Sequence, residues 1–353
     1  MGKRIAIVGA GALGGYVGGW FAHLGHDVTF LDPWPEHVET IRAKGLELDG
    51  VTPEEKVVVR NAKILHLTEL QSLASRPFDL AMVAMKSYDT AWSTALIAPY
   101  LAPEGHVVSL QNCLNEETIA GIVGWGRVLG VVASLISVDL YEPGRIRRTI
   151  AKGGDKHTVF RVGEPHGRIT ARVEELAGWL RAIDSSKATT NLWGERWSKL
   201  VQNGMGNGVS AATGLSSADC ARDDRIRRFQ IALAGEAIRV GQALGYQLEK
   251  IRGLDPERLA LAHEGDAAAY KEVDAALKPK DGANPRADIQ RPSMAQDIRK
   301  GRRTEIEQMN GFIARRGAEV GVPAPANAKL TEVVTRVERG EAAPSPALLD
   351  FRA

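Results

Sequence analysis

The chain of 353 residues is 44% hydrophobic and 25% charged, enough apolar sequence to bury the cores of two globular domains and too much for a disordered chain. Its 45 basic and 43 acidic residues leave a formal charge of +2, which offers no electrostatic footprint for nucleic acid or an anionic membrane. Two cysteines, Cys113 and Cys220, and eight histidines without an H-x-x-x-H pair make neither a disulfide framework nor a metal-ligand set, so a cytoplasmic setting and no metal are expected.

The first element, "RIAIV" at 4–8, reads as a strand, followed by a helical 12–24, the strand "DVTFLD" at 27–32 and a helical 35–44. Such alternation argues for a parallel sheet with crossover helices. "DLAMVAMK" at 79–86, "HVVSLQN" at 106–112 and "RVLGVVASL" at 127–135 continue it. "VDLYEPGRIRR" with its Pro-Gly turn and "TVFRVGE" then suggest that the sheet finishes with antiparallel strands. The N-terminal apolar stretch runs straight into a glycine-rich turn, without a cleavable signal pattern, and no segment has the uninterrupted apolar length of a spanning helix.

From about 189 the texture changes to long helical patterns such as "GEAIRVGQALG" and "EIEQMNGFIARRGAEVG". The fold class expected is therefore α/β, with an N-terminal Rossmann-type dinucleotide-binding domain at 1–188 and a mainly α-helical domain at 189–340. The polar "AIDSSKATTN" at 182–191 reads as the join, the charged 249–292 as a long surface excursion, and 341–353 as a loose tail. Basic clusters at Arg145, Arg147 and Arg148 and at Arg299, Lys300, Arg302 and Arg303 read as solvated faces.

The turn Gly9-Ala10-Gly11-Ala12-Leu13-Gly14 has G-x-G-x-x-G spacing and lies between the first strand and first helix. Gly9 permits the tight turn, Gly11 lets backbone approach a pyrophosphate, and Gly14 allows helix to pack on strand, with the helix N-terminus facing the negative charge. Asp32 ends the next strand about twenty residues on, which completes the context. A carboxylate there can accept from both ribose hydroxyls of NAD, whereas the extra phosphate of NADP would meet it as a like charge, costing up to about 4 kcal/mol at about 4 Å and an effective dielectric of about 20. NAD(H) is the cofactor this residue favours; the plainer reading is that Asp32 caps the following turn.

"RWSKLVQNGMGNGVSA" at 196–211 places Lys199, Asn203 and Asn207 four residues apart, which on one helix puts all three on one side. Gly204, Gly206 and Gly208 oppose a helix by roughly 1 kcal/mol each relative to alanine, so a loop at NGMGNG reads equally well.

The order of the glycine-rich N-terminus, "MKSYDT", "SLQNCLNEE", "EPGRIRRT", "VGEP", "WSKLVQNGMGNGVSAATG" and "RPSMAQDIRKGRRTEIEQMNG" resembles the ketopantoate reductase family from end to end. The resemblance implies a Rossmann domain, a helical domain and reduction of a branched 2-keto acid to its 2-hydroxy acid with a nicotinamide cofactor, usually NADPH, so NADP(H) stands beside NAD(H). It implies that Lys199 is the catalytic lysine, Glu305 its partner carboxylate, Asn203 and Asn207 the amides that orient substrate, and Ser293 the residue that holds the substrate acid. Asn112 and Lys86 match residues that reach cofactor and cleft. Cys113 stands where the family usually has glycine.

The chemistry asks for the same residue types. Hydride arriving at a carbonyl carbon leaves an alkoxide, which calls for a cation that can also donate a proton. The bland readings are a capping box from Ser293 to Gln296, a solvated strand end for Lys86, a turn for Asn112 and helix structure for Asn310. The expected partner is a small carboxylic acid, with ketopantoate, the precursor in pantothenate biosynthesis, as the default and a second copy of the chain as a candidate homodimer partner. The rivals are a 3-hydroxyacid dehydrogenase of the 6-phosphogluconate type, whose Gly-x-Ser-Gly-Gly loop is missing, and a protein that binds the dinucleotide without turnover.

Overall fold

The computed structural model describes residues 2–279 and 291–349. The chain divides into two compact units, Met1–Leu192 and Trp193–Ala353.

The first unit holds twelve strands: β1 (Arg4–Val8), β2 (Asp27–Asp32), β3 (Leu46–Asp49), β4 (Val57–Val59), β5 (Lys63–His66), β6 (Phe78–Val83), β7 (Leu101–Ser109), β8 (Val128–Ala133), β9 (Val138–Glu142), β10 (Arg145–Arg148), β11 (Phe160–Gly163) and β12 (Ser186–Thr189). Eight make the main sheet in the order β12-β11-β8-β7-β6-β1-β2-β5, parallel except where β11 runs antiparallel to β8. Alternate residues of the central strands serve opposite faces. Ile5 and Ile7 join Phe30, Met82 and Val108 beneath the Ala12–His23 and Pro35–Lys44 helices. Ala6 and Val8 join Leu31, Ala81 and Val83 with Ile97 and Ile119 of the helices opposite. Covering both faces explains why these strands are apolar throughout. The expected α/β class and the helical character of the second unit are what the structure shows.

Some expectations are corrected. The β9–β10 hairpin does not finish the main sheet; it pairs through β10 with β3 in a separate sheet, β4-β3-β10-β9. That sheet covers the first helix so closely that a Cβ on Gly15 would lie 2.4 Å from Ile146 Cδ1. The polar 182–191 is not only a join, because Ser186–Thr189 forms β12 at the sheet edge, where a short strand needs no apolar outer face. The stretch from 249 is no surface excursion as far as residue 279: it forms the Pro256–Glu264 and Ala267–Leu277 helices and buries Leu259, Ala260, Ala269 and Val273. Residues 280–290 of that stretch lie outside the described residues.

The second unit is built round the helix Asp224–Ala243, opened by Asp223, whose carboxylate accepts from the Arg225 and Ile226 amides at 2.8 and 3.2 Å. Ile231, Leu233, Ala234, Ala237 and Ile238 are buried along it. The tail is pinned rather than loose as far as it is described: the Ser345 amide donates to Ala212 O at 2.9 Å and Leu349 is buried. No helix among the described residues is long and apolar enough to cross a membrane.

Candidate dinucleotide site and catalytic segment

The chain leaves β1 to cross to β2 on one side and later to β6 on the other, so the ends of β1 and β6 open the crevice in which sheets of this kind take ligands. Gly9 turns the chain there with φ +100°, its amide donating to Leu31 O at 2.8 Å. A Cβ on Gly9 would lie 2.7 Å from Met85 Sδ, and one on Gly14 would lie 2.1 Å from the Gly9 carbonyl oxygen and 2.7 Å from Ala84 Cβ. Gly11 differs, having nothing within 4 Å of that position. It precedes the twelve-residue helix Ala12–His23, whose N-terminus has no side-chain cap, so no capping side chain takes up its first amides. These residues fit a pyrophosphate: one glycine leaves the approach clear, the others permit the packing, and the helix end supplies donors.

Asp32 closes β2 with 7% of its surface exposed. One carboxylate oxygen accepts from the Ala10 amide at 2.8 Å and the other from the Trp34 amide at 2.9 Å. Burial raises its pKa against the pull of those two bonds. The capping role is therefore present, and since a carboxylate offers about four acceptor sites, it does not exhaust the group.

His37 went unnoticed in the sequence. It is fully buried, its Nδ1 accepts from the Gly144 amide at 2.9 Å, and Nε2 lies 2.9 Å from Ala10 O. With a backbone donor at Nδ1 and a backbone acceptor at Nε2, the ring ties the glycine turn to the β9–β10 hairpin.

Lys86 lies past the end of β6 rather than closing it, half-buried at the start of the short 3-10 turn Ser87–Asp89. Asn112 lies past β7. The two are brought together by buried amides: Gln111 Nε2 donates to Met85 O at 2.9 Å, while Asn115 Nδ2 and Ser87 Oγ donate to Asn112 O at 2.7 and 3.2 Å. Gln111 and Asn115 both stand in the "SLQNCLNEE" run, where nothing in the sequence separates them from Asn112. Cys113 adopts φ +63°, a conformation glycine enters freely and other residues do not.

In the second unit the Lys199 segment is neither one helix nor a loop. A helix, Leu192–Gly204, carries Lys199 and Asn203, both half-buried; the chain breaks at Met205 and Gly206; and Asn207 opens a second helix, Asn207–Thr213. The glycines are explained by neighbours. A Cβ on Gly208 would lie 2.9 Å from Leu330 Cδ2 and 3.0 Å from Ile306 Cδ1. The Gly204 carbonyl, orphaned at the helix end, accepts from Asn310 Nδ2 at 3.0 Å, and that amide also donates to Asn327 Oδ1 at 2.9 Å. Asn310 is thus helix structure, as its sequence setting suggests.

Glu305 is buried one residue before Ile306, which packs against Gly208. Ser293 is exposed and is the first residue of the helix Ser293–Arg299, with Pro292 at the cap and no side-chain capping bond. The capping box does not form; Gln296 Nε2 donates instead to Arg291 O at 2.9 Å.

These features define a class, a dinucleotide-binding protein whose helical second unit presents a lysine and amides. The family model "Ketopantoate reductase PanE/ApbA" matches residues 5–160, and "Ketopantoate reductase PanE/ApbA C terminal" matches residues 191–338. A 2-dehydropantoate 2-reductase of Archaeoglobus fulgidus is 30% identical over 341 residues, covering 96% of this chain and 99% of the relative. The crystal structure of a PanE/ApbA family ketopantoate reductase from Ralstonia eutropha superposes with a TM-score of 0.76 at 27% identity, over 96% of this chain and 99% of that one. D-mandelate dehydrogenase in a ternary structure with NADH and anilino(oxo)acetate has the same fold, with a TM-score of 0.77 at 22% identity over 96% of this chain and 98% of that one. The chain belongs to the ketopantoate reductase family and is an NAD(P)-dependent oxidoreductase of the 2-dehydropantoate 2-reductase type.

Proposed function

We propose that the protein reduces a 2-keto acid to its 2-hydroxy acid, with ketopantoate as the default substrate and NADH preferred to NADPH. The carrying observation is the Lys199 and Asn203 helix followed at once by Asn207 in a chain that matches the family in both halves. When bound, the dinucleotide supplies the hydride. Lys199 Nζ donates a proton to the carbonyl oxygen as charge develops there. Glu305 steadies the lysine, Asn203 and Asn207 orient the acid without titrating, and Ser293 receives its carboxylate. Gly9, Ala10, Gly11, Ala12, Leu13 and Gly14 hold the pyrophosphate, Asp32 the ribose, and Lys86 and Asn112 the edge of the cofactor site.

A steady-state screen of 2-keto acids with NADH and NADPH tests this reading; no turnover of any 2-keto acid with either cofactor sinks it. The same reading places the enzyme in the cytoplasm. A homodimer is its other element, and a strictly monomeric sedimentation profile at working concentration removes that part alone.

A further inference from the structure

Residues Ile251–Leu254 close a two-residue turn in which the Ile251 and Leu254 amides each donate to the other's carbonyl at 3.0 Å. Both central residues have positive φ, 52° at Arg252 and 83° at Gly253, a type I′ geometry that selects Asn, Asp or Gly at its first position. Arginine is out of place there as far as the backbone is concerned.

The turn hangs on the Lys199 helix. Tyr246 stacks on Trp193 with centroids 6.2 Å apart and meets Trp197 at 5.5 Å, and the Glu249 amide donates to Ser198 Oγ at 2.8 Å. This framework brings Arg252 Nη2 to 3.1 Å from the place a Cβ would take on Gly206. Gly206 is the break between the helix of Lys199 and Asn203 and the helix opened by Asn207.

The buried guanidiniums of Arg148 and Arg227 are matched: Arg148 pairs with Asp184, and Arg227 with Asp224 and Asp274. Arg252 has no ion-pair partner among the described residues, and desolvation lowers its pKa with no charge or hydrogen bond in opposition. The residue is exposed, so a solute can reach it. An exposed guanidinium without an ion-pair partner, held beside the Gly206 break, is open to an incoming anion.

We propose that Arg252 is an anion-binding residue of the substrate site and that the oxyanion it receives is a carboxylate of the 2-keto acid. The inference rests on the reductase reading above. A guanidinium suits the task because its planar fork takes a carboxylate through two parallel bonds. The carboxylate is either the one beside the keto group or a second one at the far end of a dicarboxylic 2-keto acid.

The test compares the parent with Arg252→Gln, Arg252→Lys and Arg252→Asn, using 2-oxoisovalerate as the monoacid and 2-oxoglutarate as the diacid. Arg252→Gln should raise KM by about tenfold to a hundredfold, the loss typical of a bond between charged groups, with the larger effect in KM rather than kcat and with dinucleotide Kd unmoved. A rise for both acids assigns the carboxylate beside the keto group, and a rise for the diacid alone assigns the second one. Arg252→Lys should recover part of the loss. Arg252→Asn, which the turn prefers, should melt no lower than the parent while losing KM to the same extent. Unchanged KM for both acids, a matching loss of dinucleotide affinity, or a KM loss that appears only with a lowered melting temperature overturns the proposal. If neither acid is turned over, the reductase reading is left to the wider 2-keto acid screen, and calorimetric titration of 2-oxoglutarate into the dinucleotide-saturated protein decides the assignment of Arg252: Arg252→Gln must weaken that binding, and equal binding overturns it.

Discussion

Lys199 sits half-buried on the helix Leu192–Gly204, and its proposed role is the most exposed to test. Lys199→Ala should lower kcat by about two to four orders of magnitude, the usual share of positioned acid-base catalysis, while dinucleotide affinity stays near the parent's. A variant that folds and keeps kcat within about tenfold removes the assignment. Ser293→Ala should raise KM for the acid by a factor corresponding to about 1.5 to 3 kcal/mol; because the Ser293 hydroxyl makes no capping bond, its melting temperature should not move, and unchanged KM would leave the residue without a role. His106, 5% exposed on β7, bears on stability instead. Burial, reinforced by the charges of Arg172 and Lys3, lowers its pKa from 6.5 to about 4. The unfolded chain therefore binds this proton more readily, and stability present above about pH 6.5 is lost as pH falls toward 4, by about 3 kcal/mol over the window. His106→Leu should flatten the decline in melting temperature between pH 7 and pH 4; an identical decline in both proteins shows that other groups govern it.

The packing of the first helix on β1 separates two glycines that look alike in sequence. Gly14→Ala puts a methyl 2.1 Å from the Gly9 carbonyl oxygen, so the helix must shift, at an overpacking cost of about 1 to 3 kcal/mol, and dinucleotide affinity should fall with it. Gly11→Ala meets nothing within 4 Å and should fold as the parent does while still weakening the dinucleotide. Equal melting temperatures for the two variants would mean the helix does not seat as described. The glycine turn and the strand positions were legible because each imposes a local pattern: alternation over two faces for β1 and β6, backbone clearance for Gly9 and Gly14. The break at Met205 and Gly206 was not, since a step of four residues from Lys199 to Asn203 to Asn207 is the same whether or not the helix continues. β12 was hidden by its polarity, His37 and Gln111 because they bond backbone groups distant in sequence, and Asn115 because its ties to Ser87 and Thr90 cross between the segments that follow β6 and β7. Arg252 gave no signal at all, its meaning residing in the positive φ of a turn.

At the scale of the molecule, the proposed preference for NADH rests on one carboxylate at the edge of the main sheet's crevice. Asp32 is held by two backbone donors, and in the proposed reading its carboxylate meets the extra phosphate of NADP as a like charge. The kcat/KM should be higher with NADH than with NADPH, and equal or greater efficiency with NADPH contradicts that role. His37 carries this local arrangement further, because one buried ring joins Ala10 beside Asp32 to Gly144 at the tip of the β9–β10 hairpin. Hydrogen exchange at the Gly144 amide is then a reporter for a site it does not belong to: when the glycine turn is clamped by its ligand, that proton should exchange more slowly, so occupancy can be read by mass spectrometry from a hairpin peptide in the other sheet.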